Sequence, residues 1–570
     1  MNQRHYITQR IIDACLREDV AGLVSQATLR QEGDIHWLYA THLSVPLRLA
    51  VLPHDYMQSW RAAAPHWQER HAGEWRDCSG YEAWLTRLTP ADDPEARQLY
   101  AAYRAEADAA CQQGELCRAI FTEQAAALTP DLARCSWGER LRHADRMASF
   151  LDHPYYPTAR AKFGFNAKQL RAYAPEFAPS FALRWLAVPR AAVTLCDDQP
   201  LPTWWPQPAQ VGLDPRLVAH HILLPVHPLT WPQLDALPPG SLAAPAAYLT
   251  VYPTLSVRTV QLADDPTCHI KVPLAMRTLG QKNLRLIKPS TLYDGQWFAD
   301  LLPRLARRDP LLCGRLRHVD ESVGAHVGDN RLLAFLLRRY PAPRADETLA
   351  PVAALGSRLP DGRSYLRFVL DQPGMPSLTV WWQEYCSLMA EVHLTLWLRY
   401  GIALESNQQN AMLSLVPGQP LTLMMKDNDA ARLWPPRFRA ACPDLAERLV
   451  LLRDERICVD DEQALAQMFI TITLQLDLAA VLESLAAAGE LERSAAYRTL
   501  RQALAQTLEK LASQGVETAF ARHVLFDDPR QPVKYLLQSG SLLSKRASGA
   551  ADINKFYGHS GPNFLRSETA

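Results

Sequence analysis

The chain has 570 residues, 48% of them hydrophobic and 21% charged, with Lys+Arg 60 balanced against Asp+Glu 60. That length exceeds one hydrophobic core and suggests about three domains, and zero net charge argues against a dedicated nucleic-acid binder, which carries a basic surplus. Eleven cysteines in an odd total with no CxxC pair fit reduced thiols in the cytoplasm, not a disulfide framework or a zinc site.

The N-terminus carries Asp13, Glu18 and Asp19 without a continuous apolar core, so no signal peptide is expected. Residues 1–148 are expected to form a helical domain. Ile11, Ile12, Cys15 and Leu16 recur at helical spacing, and Tyr81 to Leu128 alternates apolar positions with Arg, Glu and Gln. A second domain, 149–345, opens on Asp152-His153-Pro154-Tyr155-Tyr156-Pro157, whose prolines fix an irregular loop. With Arg160 and Lys162 following, the loop suits an anionic ligand, or equally a stiffened domain junction.

Residues 197–255 are dense in proline and read as an ordered linker with short strands such as Ile222 to Val226. Leu255 to Leu262 alternates as a strand, His269 to Leu274 as a second, and Ala263 to Thr267 as the turn between them. Ser256, Arg258 and Lys271 then lie on facing strands. A hydroxyl, a bidentate guanidinium and an ammonium are the parts of a phosphate and carboxylate cradle, although alternating charges on a hairpin also suit a solvated face. Arg277, Thr278 and Arg285 follow. Residues 323–340 read as a helix ending in Arg338-Arg339.

The third domain, 346–570, carries a strong helix over Val380 to Tyr400, with Trp381, Tyr385, Leu388, Val392 and Leu396 on one stripe. It leads into the stretch from Gly401 to Asp429, which packs Glu405, Asn407, Gln409 and Asn410 together. Seventeen positions beyond Asn410 comes Asp427. Between them MLSL and LTLMM read as strands joined by a turn at Val416 to Pro420, bringing Asn410 near Asp427. Hard oxygen donors so placed suit Mg²⁺, which takes one or two protein carboxylates and completes its shell with phosphates and water. The window 468–488 is strongly apolar but interrupted by Gln475, Asp477 and Glu483, as in a buried helix and not a membrane span.

A strand lysine followed by an asparagine and an aspartate matches the ATP-handling parts of protein kinases. Yet the chain has no GxGxxG, HRD or GxxxxGK[ST] motif. The surplus of cations points to a polycarboxylate bound beside the nucleotide.

SVRT at 256–259, the HPxxP loop at 153–157, ExNxQN at 405–410 and KD at 426–427 resemble the NRPS-independent siderophore synthetases, the aerobactin synthetase-like family. The resemblance covers about residue 150 to the C-terminus. It implies an α+β, multi-domain, hand-like architecture: a helical thumb, β-rich fingers and an α/β palm with kinase-like ATP-site elements. It also implies ATP and Mg²⁺ as cofactors, no nucleic-acid or membrane partner, and possible homodimerisation. The implied reaction adenylates a carboxylate, citrate or a citryl derivative, and condenses it with an amine or hydroxyl, releasing AMP and pyrophosphate.

Carried over by residue, the catalytic set is Arg258, Lys271, Glu405 and Asn407. Ser256, Arg258, Thr259, Lys271, Asn410 and Asp427 bind the nucleotide; His153, Thr278, Arg285 and Lys534 bind substrate; Glu405, Asn410 and Asp427 hold the metal. Three positions depart from the family pattern: Asn407 and Tyr156 stand where histidines are usual, and Lys426 where an arginine is. Two other readings remain: a phosphotransferase using the same Lys, Asn and Asp, and a catalytically silent ATP- and carboxylate-binding homologue, suggested by Asn407.

Overall fold

The computed structural model describes residues 2–197, 200–278, 280, 284–549 and 556–566. Helices and mostly antiparallel strands are mixed throughout.

The N-terminal region corrects the expectation of a helical domain. After the helix Gln3–Arg17, residues 28–79 form a six-stranded antiparallel sheet, and helices return only at Tyr81–Leu88, Pro94–Glu123 and Trp137–Ser149. The pattern in the second strand pair is period two: Leu38 and Ala40 are buried opposite Leu49 and Leu47. Aromatic and charged residues on the other face hide that alternation from a helical reading.

A nine-stranded antiparallel sheet occupies the middle of the chain. Its centre is the hairpin Thr259–Leu262 and Cys268–Lys271, with the expected turn at 263–267, flanked by Tyr248–Pro253 and Asn330–Arg339. The last of these corrects the expected helix at 323–340. Gly324–Val327 and Asn330–Arg339 are a hairpin turning at Gly328, where φ is +48°. The first hairpin strand starts only at Thr259; residues 254–258 form a tight turn.

Alternation gives the central strands two characters. Val260, Ile270 and Leu337 face an apolar core with Leu262, Cys268 and Phe335. Thr259, Lys271, His269 and Arg338 lie on the opposite face, Thr259 directly across from Lys271 and His269 across from Arg338. All four are buried, so this is not a solvated hairpin face.

That polar face is covered by a four-stranded sheet. The expected hairpin Ala411–Leu415 and Thr422–Met425 forms its middle, pairing Ala411 with Met425 through a turn with Gly418 at φ +68°. Leu316–His318 runs parallel to Thr422–Met425, and Thr348–Pro351 borders the other side. Behind the hairpin pack the helix Leu378–Tyr400, closed by Gly401 in the left-handed region as an αL cap, and the helix Glu462–Ala487. The latter has a mean hydropathy of 1.7 in its most apolar window, but 89% of that window is buried inside the protein, as in a core helix.

Candidate active site

Between the nine-stranded sheet and the 411–425 hairpin lies a cleft of about 380 Å³. Its walls carry all twelve residues singled out from the sequence: His153, Ser256, Arg258, Thr259, Lys271, Thr278, Arg285, Glu405, Asn407, Asn410, Asp427 and Lys534.

One wall is built on the 254–258 turn. Ser256 Oγ accepts the Thr259 N–H at 3.1 Å, and Thr254 Oγ1 donates to the Thr259 carbonyl at 2.8 Å. Val257 sits at φ +64°, a strained conformation for a β-branched residue, which turns Arg258 into the cleft. Arg258 donates to the Leu286 carbonyl at 2.7 Å. Burial lowers its pKa, with Asp427 and Asp429 opposing that shift. Beside it Arg285 donates to Thr278 Oγ1 at 2.7 Å, its pKa lowered to about 10 by burial and by the charge of Arg258. Clustered cations with strained or depressed charge are what an incoming polyanion relieves. Arg277 stacks on Phe163 instead, 4.3 Å from the ring centroid.

The opposite wall is the 405–410 loop and the strand end at 426–429. Asn410 Nδ2 donates to the Glu405 and Asp427 carbonyls at 3.2 and 3.3 Å, so the amide ties the two acidic segments together. Asn407 Oδ1 accepts the N–H groups of Gln409 at 3.0 Å and Asn410 at 3.1 Å, which gives this amide a loop-shaping role.

Asp427, at φ +55°, joins the two walls. Its Oδ1 lies 2.6 Å from Lys271 Nζ and 2.8 Å from Arg338 Nη2, and Arg338 Nε donates to Glu321 Oε1 at 2.7 Å. The Asp427 N–H reaches Glu321 Oε2 at 3.2 Å. Burial alone would raise the Asp427 carboxyl, but Arg338 and Lys271 hold it well below the carboxylate range. Asp429 is pushed up by burial and by Asp427, against the opposing pull of Lys271. Lys426, fully buried, is lowered to about 8 by burial and Arg338, against the pull of Asp145.

His153 anchors a third side. Its Nδ1 accepts the Tyr155 and Tyr156 N–H groups at 3.1 and 3.3 Å, so the ring proton sits on Nε2. Burial, with Arg10 and Arg17 nearby, lowers its pKa to about 3, leaving a neutral donor. Arg10 donates to the carbonyls of His153, Tyr156 and Pro157, and Arg17 to that of Tyr155, so the first helix shapes the loop. Tyr156 turns away to Ser541 Oγ at 2.7 Å. Arg160 and Lys162 also line the cleft and are ion-paired with Asp152 and Glu176. Lys534 reaches the cleft from the strand Arg530–Lys534.

Sequence reasoning missed Arg338, Glu321 and Asp429. Asp429 was adjacent to a chosen motif. Arg338 was hidden by the helical reading of its strand, although Gly328-Asp329 is a hairpin turn signal.

The donor set of Glu405, Asn410 and Asp427, with Asp429 in the same cleft, is oxygen-only and fits a hard divalent cation. Among the described residues no three His, Cys, Asp or Glu side chains form a closed metal cage. Mg²⁺ needs none, because phosphates and water complete its shell. A cleft with cations on one wall and carboxylates and amides on the other has the donor chemistry to hold a polyanionic small molecule and a hard cation.

Residues 143–357 match the model of the IucA/IucC family, and residues 379–548 match a model described as ferric iron reductase FhuF-like transporter. Staphyloferrin B synthase of Staphylococcus aureus is 22% identical over 96% of this chain and 95% of its own length. The petrobactin biosynthesis protein AsbB of Bacillus anthracis has the same fold at a TM-score of 0.77, with 16% identity, over 99% of this chain and 95% of that one. ATP-bound aerobactin synthetase IucA of Klebsiella pneumoniae superposes at 0.70, with 19% identity, over 99% of this chain and all (100%) of the other.

Proposed function

We propose that this protein is an ATP-dependent ligase of siderophore assembly. It activates a carboxylate, citrate or a citryl derivative, as an acyl-adenylate with release of pyrophosphate, then passes the acyl group to an amine or hydroxyl with release of AMP. The observation that carries this reading is the meeting of all twelve candidate residues on one cleft, its two walls joined by the Lys271–Asp427–Arg338–Glu321 network. The match to the IucA/IucC family model over residues 143–357 and the full-length match to a siderophore synthase support it.

In this reading residues 1–148, 149–345 and 346–570 serve as thumb, fingers and palm, with Lys271, Asn410 and Asp427 in kinase-like roles. Ser256, Arg258, Thr259 and Lys271 hold the phosphates, and His153, Thr278, Arg285 and Lys534 hold the acid. His153 contributes a neutral Nε2–H, which binds a carboxylate without changing charge near neutral pH. Glu405, Asn410 and Asp427 would hold Mg²⁺, which supplies charge neutralisation at the phosphates. The carboxylate oxygen attacks the α-phosphorus and pyrophosphate leaves; the amine nitrogen or hydroxyl oxygen then attacks the acyl carbon, loses its proton and displaces AMP. Arg258 and Lys271 stabilise the charge that grows on the phosphate oxygens. No enzyme nucleophile is required.

Carboxylate-dependent ATP/pyrophosphate exchange tests the reading. Arg258→Ala and Asp427→Ala should each lower it at least about a hundredfold, the scale of one lost oxyanion contact. Near-normal exchange in both would sink the assignment, and ADP in place of AMP would point to a phosphotransferase.

A further inference from the structure

Within the helix Glu462–Ala487, residues Phe469–Ala479 are wound as a π-helix, with i→i+5 bonding, and every one of them is buried. Eleven residues is long for a form that mostly occurs as single turns, and such turns concentrate at functional sites. The stretch is apolar except for Thr471, Thr473, Gln475 and Asp477, and the last two are wholly buried.

Side chains from elsewhere converge on it. Tyr155 donates to the Thr471 carbonyl at 3.1 Å, Tyr56 to that of Gln475 at 2.7 Å, Gln408 to that of Leu476 at 2.6 Å, and Tyr385 to that of Asp477 at 2.9 Å. The two polar side chains continue the pattern. Gln475 accepts from the Tyr155 hydroxyl and donates to the Pro532 carbonyl at 2.9 Å. Asp477 Oδ2 accepts the Ser406 hydroxyl at 3.0 Å.

Four of these six partners lie within two residues of a candidate site residue; Tyr56 and Tyr385 do not. Tyr155 belongs to the His153 loop, Ser406 and Gln408 flank Asn407 beside Glu405, and Pro532 precedes Lys534 by two. Ile472 and Leu476 themselves line the cleft. The π-wound segment is therefore the common floor under two loops, 153–157 and 405–410, and the strand Arg530–Lys534.

Asp477 is the unusual member. Among the described residues its Oδ1 has no hydrogen-bond partner and no solvent, a costly arrangement for a carboxylate. Burial raises its pKa well above the ordinary carboxylate value, with Ser406 pulling the other way, so the site favours the neutral acid.

We propose that Asp477 is a positioning residue for the ligase reaction, holding the 405–410 loop in place through Ser406 from its π-helical platform. This rests on the proposed function for its catalytic consequence but not for its structural one. Asp477→Asn keeps an acceptor for Ser406 and the neutral charge. Asp477→Val removes the acceptor at similar size.

The test uses the full chain. Hydrogen exchange followed by mass spectrometry should show the amides of residues 407–411 exchanging about tenfold faster in Asp477→Val, the scale of one lost hydrogen bond, and unchanged in Asp477→Asn. Exchange that is unchanged in Asp477→Val, or equally raised in both variants, overturns the proposal. In turnover assays Asp477→Val should lower kcat about tenfold or more, with the carboxylate KM, set by the opposite wall, within about threefold. Asp477→Asn should restore it.

The melting temperature of Asp477→Val should not fall, because an unsatisfied buried oxygen is removed; activity lost in proportion to unfolding would overturn the assignment. Ser406→Ala should reproduce the effect, and the double variant should be no worse than either single change; additive losses would refute the shared path. The exchange measurement needs no turnover. A wild-type chain that activates no carboxylate would therefore count against the proposed function, while the loop measurement still decides the positioning role.

Discussion

Replacing Arg338 by leucine should be among the most destabilising single changes at the cleft. The guanidinium is 1% exposed and spans two acids, Glu321 at 2.7 Å, itself 1% exposed, and Asp427 at 2.8 Å. In Arg338→Leu, Asp427 keeps Lys271, but the Glu321 charge is left buried without its ion-pair partner. Breaking one side of a buried pair costs about 3–5 kcal/mol, and because half of the network survives we expect about 3 kcal/mol. Removing the stranded charge as well, in Glu321→Gln/Arg338→Leu, should recover about 2 kcal/mol, since a neutral amide is far cheaper to bury than a carboxylate.

The sign with pH follows from Asp427. Burial works against its charge, yet the neighbouring cations hold its folded pKa well below the ordinary value. Its contribution is therefore present above about pH 4 and lost as pH falls through the folded value. The penalty of Arg338→Leu should shrink in acid. Urea denaturation of the ligand-free chain at pH 7 and at a series of values below pH 4 measures both effects. A single variant within about 1 kcal/mol of wild type at pH 7 would refute the reasoning.

Other outcomes follow from particular contacts. Glu18 accepts the Leu537 and Gln538 N–H groups at 2.9 and 2.8 Å, and burial raises its pKa from 4.5 to about 7, with Arg17 opposing. Since the folded value is raised, its contribution is full below pH 4.5 and is lost as pH rises through 7. The difference in stability between wild type and Glu18→Gln should change by about 3 kcal/mol across that window in thermal melts. Asn407→Ala removes an acceptor of two backbone N–H groups and should cost about 1 kcal/mol, visible as a lowered melting temperature. Tyr156→Phe removes a hydroxyl that bonds Ser541 and Glu106, away from the cleft lining, so pyrophosphate exchange should stay within about twofold of wild type while stability falls by about 1 kcal/mol.

Local chemistry was readable wherever a few adjacent residues decided the outcome. The hairpin around Val416 to Pro420 was legible because its turn residues and short apolar runs specify both strands. The helix over Val380 to Tyr400 was legible from one apolar stripe, and the structure closes it with Gly401 in the left-handed region. The Lys271 hairpin was also legible, with its turn at 263–267. Short apolar runs were the weak point. LLAFLL in 332–337 suits a buried strand as well as a helix, and only pairing with Cys268–Lys271 and Gly324–Val327 made it a strand.

By itself the sequence determined which side chains were available for chemistry, through motifs whose members lie within a few residues of each other. Tertiary structure decided how they were joined. Asp427 meets a lysine 156 positions away and an arginine on a misread strand, and Asp477 holds a loop 71 positions distant. Gln475 and Asp477 looked like interruptions in an apolar helix; burial against two loops and a strand made them its points of attachment. Pairwise contacts between distant segments leave no periodic trace in a single chain, because each needs the fold before either partner has a reason to be there.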